Sequence, residues 1–170
     1  MEPEKALAVA VQTKLRSVLA INDTQCNVEM DELLASMSAD LQINVIPNGV
    51  QPGPLNSPAI RDRFLSIAVQ VAVRSRHVAR DKRRKVYLDQ LTGLAKIVDS
   101  IVSAIDGNYL YDELDEQEGV LACKFIEPLL LVSMENRPKV IMPMDYGSDQ
   151  NKPAAHGRLV TFGKARWISG

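Results

Sequence analysis

Apolar residues in this chain follow two periods, which replace one another in a definite order. Leu7, Val11, Leu15 and Val18 recur at spacings of four, four and three, the signature of one helix face. The spacing predicts a helix over Pro3–Ala20. Pro3 falls in its first turn, where a missing N–H costs nothing, and Glu2 and Glu4 suit its positive end. Asn22-Asp23 is the expected stop. A short second helix is expected at Glu29–Met37, with Met30, Leu33, Leu34 and Met37 on one side. Period two then takes over. Leu41, Ile43 and Val45 alternate with Gln42 and Asn44, which predicts a half-buried strand stopped by Pro47-Asn48-Gly49.

Asn48–Pro58 holds Pro52, Pro54 and Pro58 with Gly49 and Gly53, and reads as a loop. Arg63–Arg76 is the strongest strand signal. Leu65, Ile67, Val69, Val71 and Val73 share one face; Phe64, Ser66, Ala68, Gln70 and Ala72 share the other. Neither set carries a charge, so the strand is expected to be central. Leu88, Leu91, Ala95, Val98, Val102 and Ile105 return to spacings of three and four. They predict a long amphipathic helix, ended by Gly107-Asn108 and packed across a sheet face.

The remainder is less regular. Asp112–Glu118 reads as an acidic, solvated loop. Leu121–Ser133 is apolar but contains Pro128, which removes a ladder donor, so it is an edge strand, a bulged strand or two short pieces. Arg137–Gly157 shows little periodicity and reads as a long loop or arm, before a final strand at Arg158–Ile168. Together these elements predict a single α+β domain over residues 1–170. It has a mostly antiparallel sheet of about four strands, helices on one face, and long loops at 48–60 and 137–157.

Composition narrows the function more than the fold. The chain has 170 residues and a formal net charge of −1, so bulk charge does not make it a polyanion binder. Its opening residues have acids where a signal peptide needs bases, and no run approaches the roughly 20 apolar residues that span a bilayer. A cytoplasmic protein, or part of a particle assembled in a cytoplasm, is expected, with no membrane partner. Cys26 and Cys123 lie far apart with no metal-ligand spacing, and are read as two buried thiols. His77 and His156 sit beside no nucleophile or metal pattern, and no glycine-rich phosphate loop occurs. No catalytic residue, cofactor or metal is expected.

Charge is local instead. Arg74, Arg76, Arg80, Lys82, Arg83, Arg84 and Lys85 surround a single Asp81. This run has three readings: a solvated connection, a phosphate-binding segment, or one half of an intersubunit contact. Phosphate contact would make binding steeply salt-dependent, though no aromatic is interleaved to stack bases. In the intersubunit reading, Arg80, Lys82, Arg83 and Arg84 of one copy face Asp112, Glu113, Asp115 and Glu116 of the next, head to tail.

The order of elements also resembles a family. The residues that carry the likeness are the Asn44-Val45-Ile46-Pro47 turn, Arg61 and Arg63 leading into Ser66–Val73, the helix repeat beginning at Leu88, and Val160–Trp167 with its V-x-F-x-x-A-R-W form. The pattern looks like that of the tail-terminator and neck proteins of long-tailed bacteriophages, well over Leu41–Gly107 and loosely over the C-terminal third. The resemblance implies a small α/β fold and a homo-oligomeric ring, commonly a hexamer, in the virion. Such a ring caps the tail tube and joins it to the head connector, with DNA passing through its lumen and no catalysis or cofactor. The contrasting expectation is a small nucleic-acid-binding regulator that uses residues 74–85.

Overall fold

The computed structural model describes residues 2–30, 41–75, 83–114, 125–141 and 154–170. Its elements are α1 (Pro3–Leu19), β1 (Cys26–Val28), β2 (Leu41–Pro52), β3 (Arg61–Ser75), α2 (Arg83–Ile105), β4 (Phe125–Glu127), β5 (Leu130–Ile141) and β6 (Ala154–Ser169). The six strands form one sheet ordered β1-β2-β3-β6-β4, with β5 also paired to β6. Every pairing is antiparallel except β1 with β2. The fold is α+β, as expected, with six strands rather than about four. β1 is too short to show a period, and the apolar run around Pro128 falls into two strands, one of the forms expected for it.

β3 is central, and from Phe64 to Val73 both its faces are apolar or neutral. It pairs with β2 on one edge and with β6 on the other. β3 covers one edge of β6 nearly end to end, so β4 and β5 lie in series along the other. Leu65, Ile67, Val69 and Val71 of β3 point to the helices, with Ile43 and Val45 of β2 and Val160 and Phe162 of β6 beside them. Onto this face α1 brings Leu7, Val11 and Leu15, and α2 brings Leu94, Val98, Ile101 and Ile105. Full burial of a side chain of this size stabilises the fold by about 1.5–3 kcal/mol.

Details of α1 depart from the pattern. Val18 is exposed, and Ala6 and Ala10 complete the buried stripe. The helix does end where expected, with Ala20 as its cap, whose φ of 50° is left-handed. The N–H groups of Ala20 and Ile21 then bond the Ser17 and Arg16 carbonyls. Arg16 and Gln12 both donate to the Cys26 carbonyl, which fastens α1 to β1. Burial pushes the Cys26 thiol up to about 11, with Arg16 opposing, so it stays neutral and inert at neutral pH. Cys123 lies outside the described residues.

Parts of the two expected loops become strand. β2 does not stop at Pro47; it runs on to Pro52 across an irregularity between Pro47 and Val50. Gly49 makes this possible, since its φ of 111° is costly for a residue with a side chain. The expected arm at 137–157 is shortened from both ends, because β5 reaches Ile141 and β6 starts at Ala154. His156 is therefore in β6, in register with Val73, not in a loop. Glu29 and Met30 are not helical, and the rest of the expected helix at Glu29–Met37 is outside the described residues.

The sheet face away from the helices is also buried at β2 and β3. Gln42 donates to Asn44 at 3.3 Å, and Asn44 donates to Gln70 at 3.1 Å. These carboxamides pay for their burial by bonding one another. Ile46, Ala68 and Leu159 form a small apolar cluster on the same side. The alternation in β2 had suggested one wet face; the amides make both faces dry.

Candidate functional site: a latched hairpin tip and an apolar sheet edge

The turn between β2 and β3 is fixed from within by one carboxylate. Asp62, near the start of β3, has no exposed surface. Arg166 of β6 grips it with two parallel bonds, Nε to Oδ1 at 3.0 Å and Nη2 to Oδ2 at 2.9 Å. This fork is the strong form of ion pair. The Leu55 N–H also donates to Asp62 Oδ2, at 2.9 Å, and the Gly53 N–H donates to the Asp62 carbonyl at 2.8 Å. A Cβ on Gly53 would lie 2.3 Å from the carboxylate, so only glycine lets the backbone come so close. The Arg166 bonds hold the Asp62 carboxyl below the usual carboxylate range, with burial opposing and the Leu55 N–H assisting. Arg166 is held more firmly protonated in return. It also reaches Glu127 of β4 at 3.7 Å, and its guanidinium lies 5.5 Å from the centre of the Phe64 ring.

Further bonds stiffen the tip. Ser57 and Ile60 exchange backbone bonds, the Ser57 hydroxyl accepts from the Ile60 N–H, and Arg63 donates to the Asn56 side chain. Three prolines limit what remains. With its polar groups so engaged, the tip still presents Pro54, Leu55, Pro58 and Ala59 to solvent.

The second surface is the β4–β5 edge. Leu130, Val132 and Met134 are 55%, 63% and 55% exposed, and Ile126 is 45% exposed. Pro128 had made an edge strand one of the forms expected for this apolar run, and the edge position leaves much of it outside. The turn after α2 docks at its start, where the Gly107 N–H donates to the Leu129 carbonyl and the Leu131 N–H to Asp106. Nearby in sequence, Tyr109 and Tyr111 stack at 5.1 Å and are also exposed.

The charged residues expected to join subunits are only partly described. Arg80, Lys82, Asp115 and Glu116 lie outside the described residues. Arg83 and Arg84 open α2, whose first turn contains no acid. Asp112 is exposed in a helical turn at 111–114, where a loop was expected. Glu113 turns inward to Lys14 of α1 at 3.3 Å, so it already has a partner in its own chain. An open cleft of about 540 Å³ between α1 and α2 is lined by Lys14, Asp99, Ser100 and Asn108 among others. His77 lies outside the described residues, and among those described no group of three His, Cys, Asp or Glu is placed to hold a metal.

The latch was missed in the sequence because an aspartate before a strand ordinarily reads as solvated. The available signal was joint: an uncharged Pro/Gly-rich turn entering Arg61-Asp62-Arg63, and an Arg166 set between Ala165 and Trp167 in the final strand. Among the described residues, no helix is long and apolar enough to cross a membrane. Compared with models of known protein families the chain matches none, and no curated protein is significantly similar to it in sequence.

Proposed function

We propose that this chain is a structural subunit of a phage particle, a ring-forming tail terminator or neck protein that joins the tail tube to the head connector. The phage assignment rests on the resemblance of residues 41–107 and 160–167 to that family. The observation that carries an assembly role is the exposed apolar row on β4 and β5. Contiguous apolar surface costs solubility in a lone molecule and marks contact with another protein. The test is the mass and the electron micrograph of the purified protein, alone and with isolated tail tubes. Rings that cap tube ends are expected. A species that stays monomeric at all concentrations and never joins tubes would sink the reading.

One observation favours the second reading, a nucleic-acid-binding protein. Arg83, Arg84 and Lys85 occupy the first turn of α2 with no acid among them. Cations at the positive end of a helix are unfavourable unless an anion neutralises them. Phosphates of duplex DNA would serve, and so would carboxylates of a neighbouring copy. A gel shift with duplex DNA that weakens steeply with salt supports the nucleic-acid reading; no shift at physiological salt rejects it.

A further inference from the structure

The hairpin tip and the β4–β5 row are unlike each other in shape and alike in chemistry. The tip, Pro52–Ile60, is convex, rigid and without a charged residue; the row, Pro128–Met134, is also without one. Their flanks are charged with opposite sign. Arg61 and Arg63 follow the tip, while Glu127 and Glu135 bracket the row. The Arg61 and Glu127 side chains are 58% and 50% exposed, and each also has a long ion pair in its own chain, Arg61 with Glu2 at 3.9 Å and Glu127 with Arg166 at 3.7 Å. An uncharged centre with a complementary charged rim is the anatomy of a protein interface.

β5 is closed to simple strand addition. Its pairing with β6 is irregular at Leu131/Ser133 and again at Arg137/Val140, and Pro138 sits in the second irregularity. Such bulges and prolines protect an edge from adding another strand. The side chains of the row, rather than its backbone, are therefore what it offers a partner. The tip leaves the sheet along the strand direction and the row lies along its lateral edge. Within one copy the base of the tip and the Glu127 flank of the row share Arg166, which bonds Asp62 at 2.9 Å and lies 3.7 Å from Glu127.

We propose that the tip of one copy seats on the β4–β5 row of the next, with Leu55 packed on Leu130 and Val132. This rests on the ring reading above and names the surfaces that would build it. The contact joins two different patches, so it propagates head to tail and closes if the rotation allows. The latch at Asp62 and Arg166 serves this contact, because a tip already ordered loses little freedom on docking.

The experiment is sedimentation velocity on the full chain and on Leu55→Glu and Val132→Glu, with circular dichroism to verify folding. Both positions are exposed, so each variant is expected to fold; Leu55→Ser and Val132→Ser replace any that does not. The natural chain is expected to form rings, and each variant alone to sediment as a monomer. An equal mixture of the two is expected to give a species of two copies, since each variant supplies the face the other has lost. Rings from the natural chain and from Leu55→Glu alike would overturn the pairing and leave the ring reading standing. A mixture that stays monomeric would overturn it too, since the two residues would then share one self-complementary face. A natural chain that is itself monomeric would overturn both.

Discussion

Asp62 is charged although no part of it reaches water, and every neighbour explains why. Arg166 supplies the counter-charge and two donors, Leu55 supplies a third, and Gly53 makes room. The carboxyl is held below its ordinary value of 3.8. The folded chain therefore binds this proton less readily than the unfolded chain. The stabilisation is complete at neutral pH, above the unfolded value, and is lost as pH falls through the lower folded value. Asp62→Asn is expected to lower the urea midpoint at pH 7 and to flatten the loss of stability between about pH 5 and pH 2. An unaltered acid limb would show that the latch contributes nothing. The amide of Leu55 should exchange faster in the same variant, which hydrogen exchange can read directly.

At the scale of elements, α1 makes the clearest case for what pattern reveals. Leu7, Val11 and Leu15 were legible as one face, and all three are buried. Val18 obeyed the same spacing but lines the open cleft beside α2, while Leu19, four residues after Leu15, packs against the core instead. Leu15→Ala should cost about 2–5 kcal/mol, since neighbours fill such a cavity only in part. Ala20→Gly should gain roughly 1 kcal/mol, because the left-handed φ strains an alanine. Both are measured by chemical denaturation. The centre of the sheet was equally legible, since alternation in Arg63–Arg76 announces a strand with two dry faces. The ends of β2, β5 and β6 were not. Polar side chains, Pro138 and His156 break the period there, while backbone pairing to a neighbouring strand continues across them. Three-residue strands such as β1 and β4 carry too few positions for any period. The latch was hidden for a further reason: Asp62 and Arg166 lie 104 positions apart, and sequence spacing is silent about partners so distant.

For the whole molecule, the two candidate contacts differ in how they respond to salt. A seat of Leu55 on Leu130 and Val132 is apolar, and added salt does not screen it. A contact between the basic run and carboxylates of a neighbour is electrostatic and weakens as added salt shortens the Debye length, from about 10 Å at 0.1 M to about 3 Å at 1 M. Reversing Arg83 and Arg84 to Glu is expected to weaken assembly more at low salt than at high. Mass measured across a salt series separates the contributions. Assembly that collapses at 1 M salt would assign the main contact to charge instead of to the tip.

The position of β6 has a consequence for how the chain is made. It touches β3 along one edge and β4 and β5 along the other, yet it is translated after all three. A ribosome that has not yet passed Ala154 holds a chain whose sheet is split, with β4 and β5 lacking the strand that joins them to β3. Closure of such a sheet waits on contacts far apart in sequence, which are slow to form. Until β6 emerges, the growing chain shows the cell an unfinished edge on β3, so the time spent near Ala154 is when it is most in need of chaperone shelter.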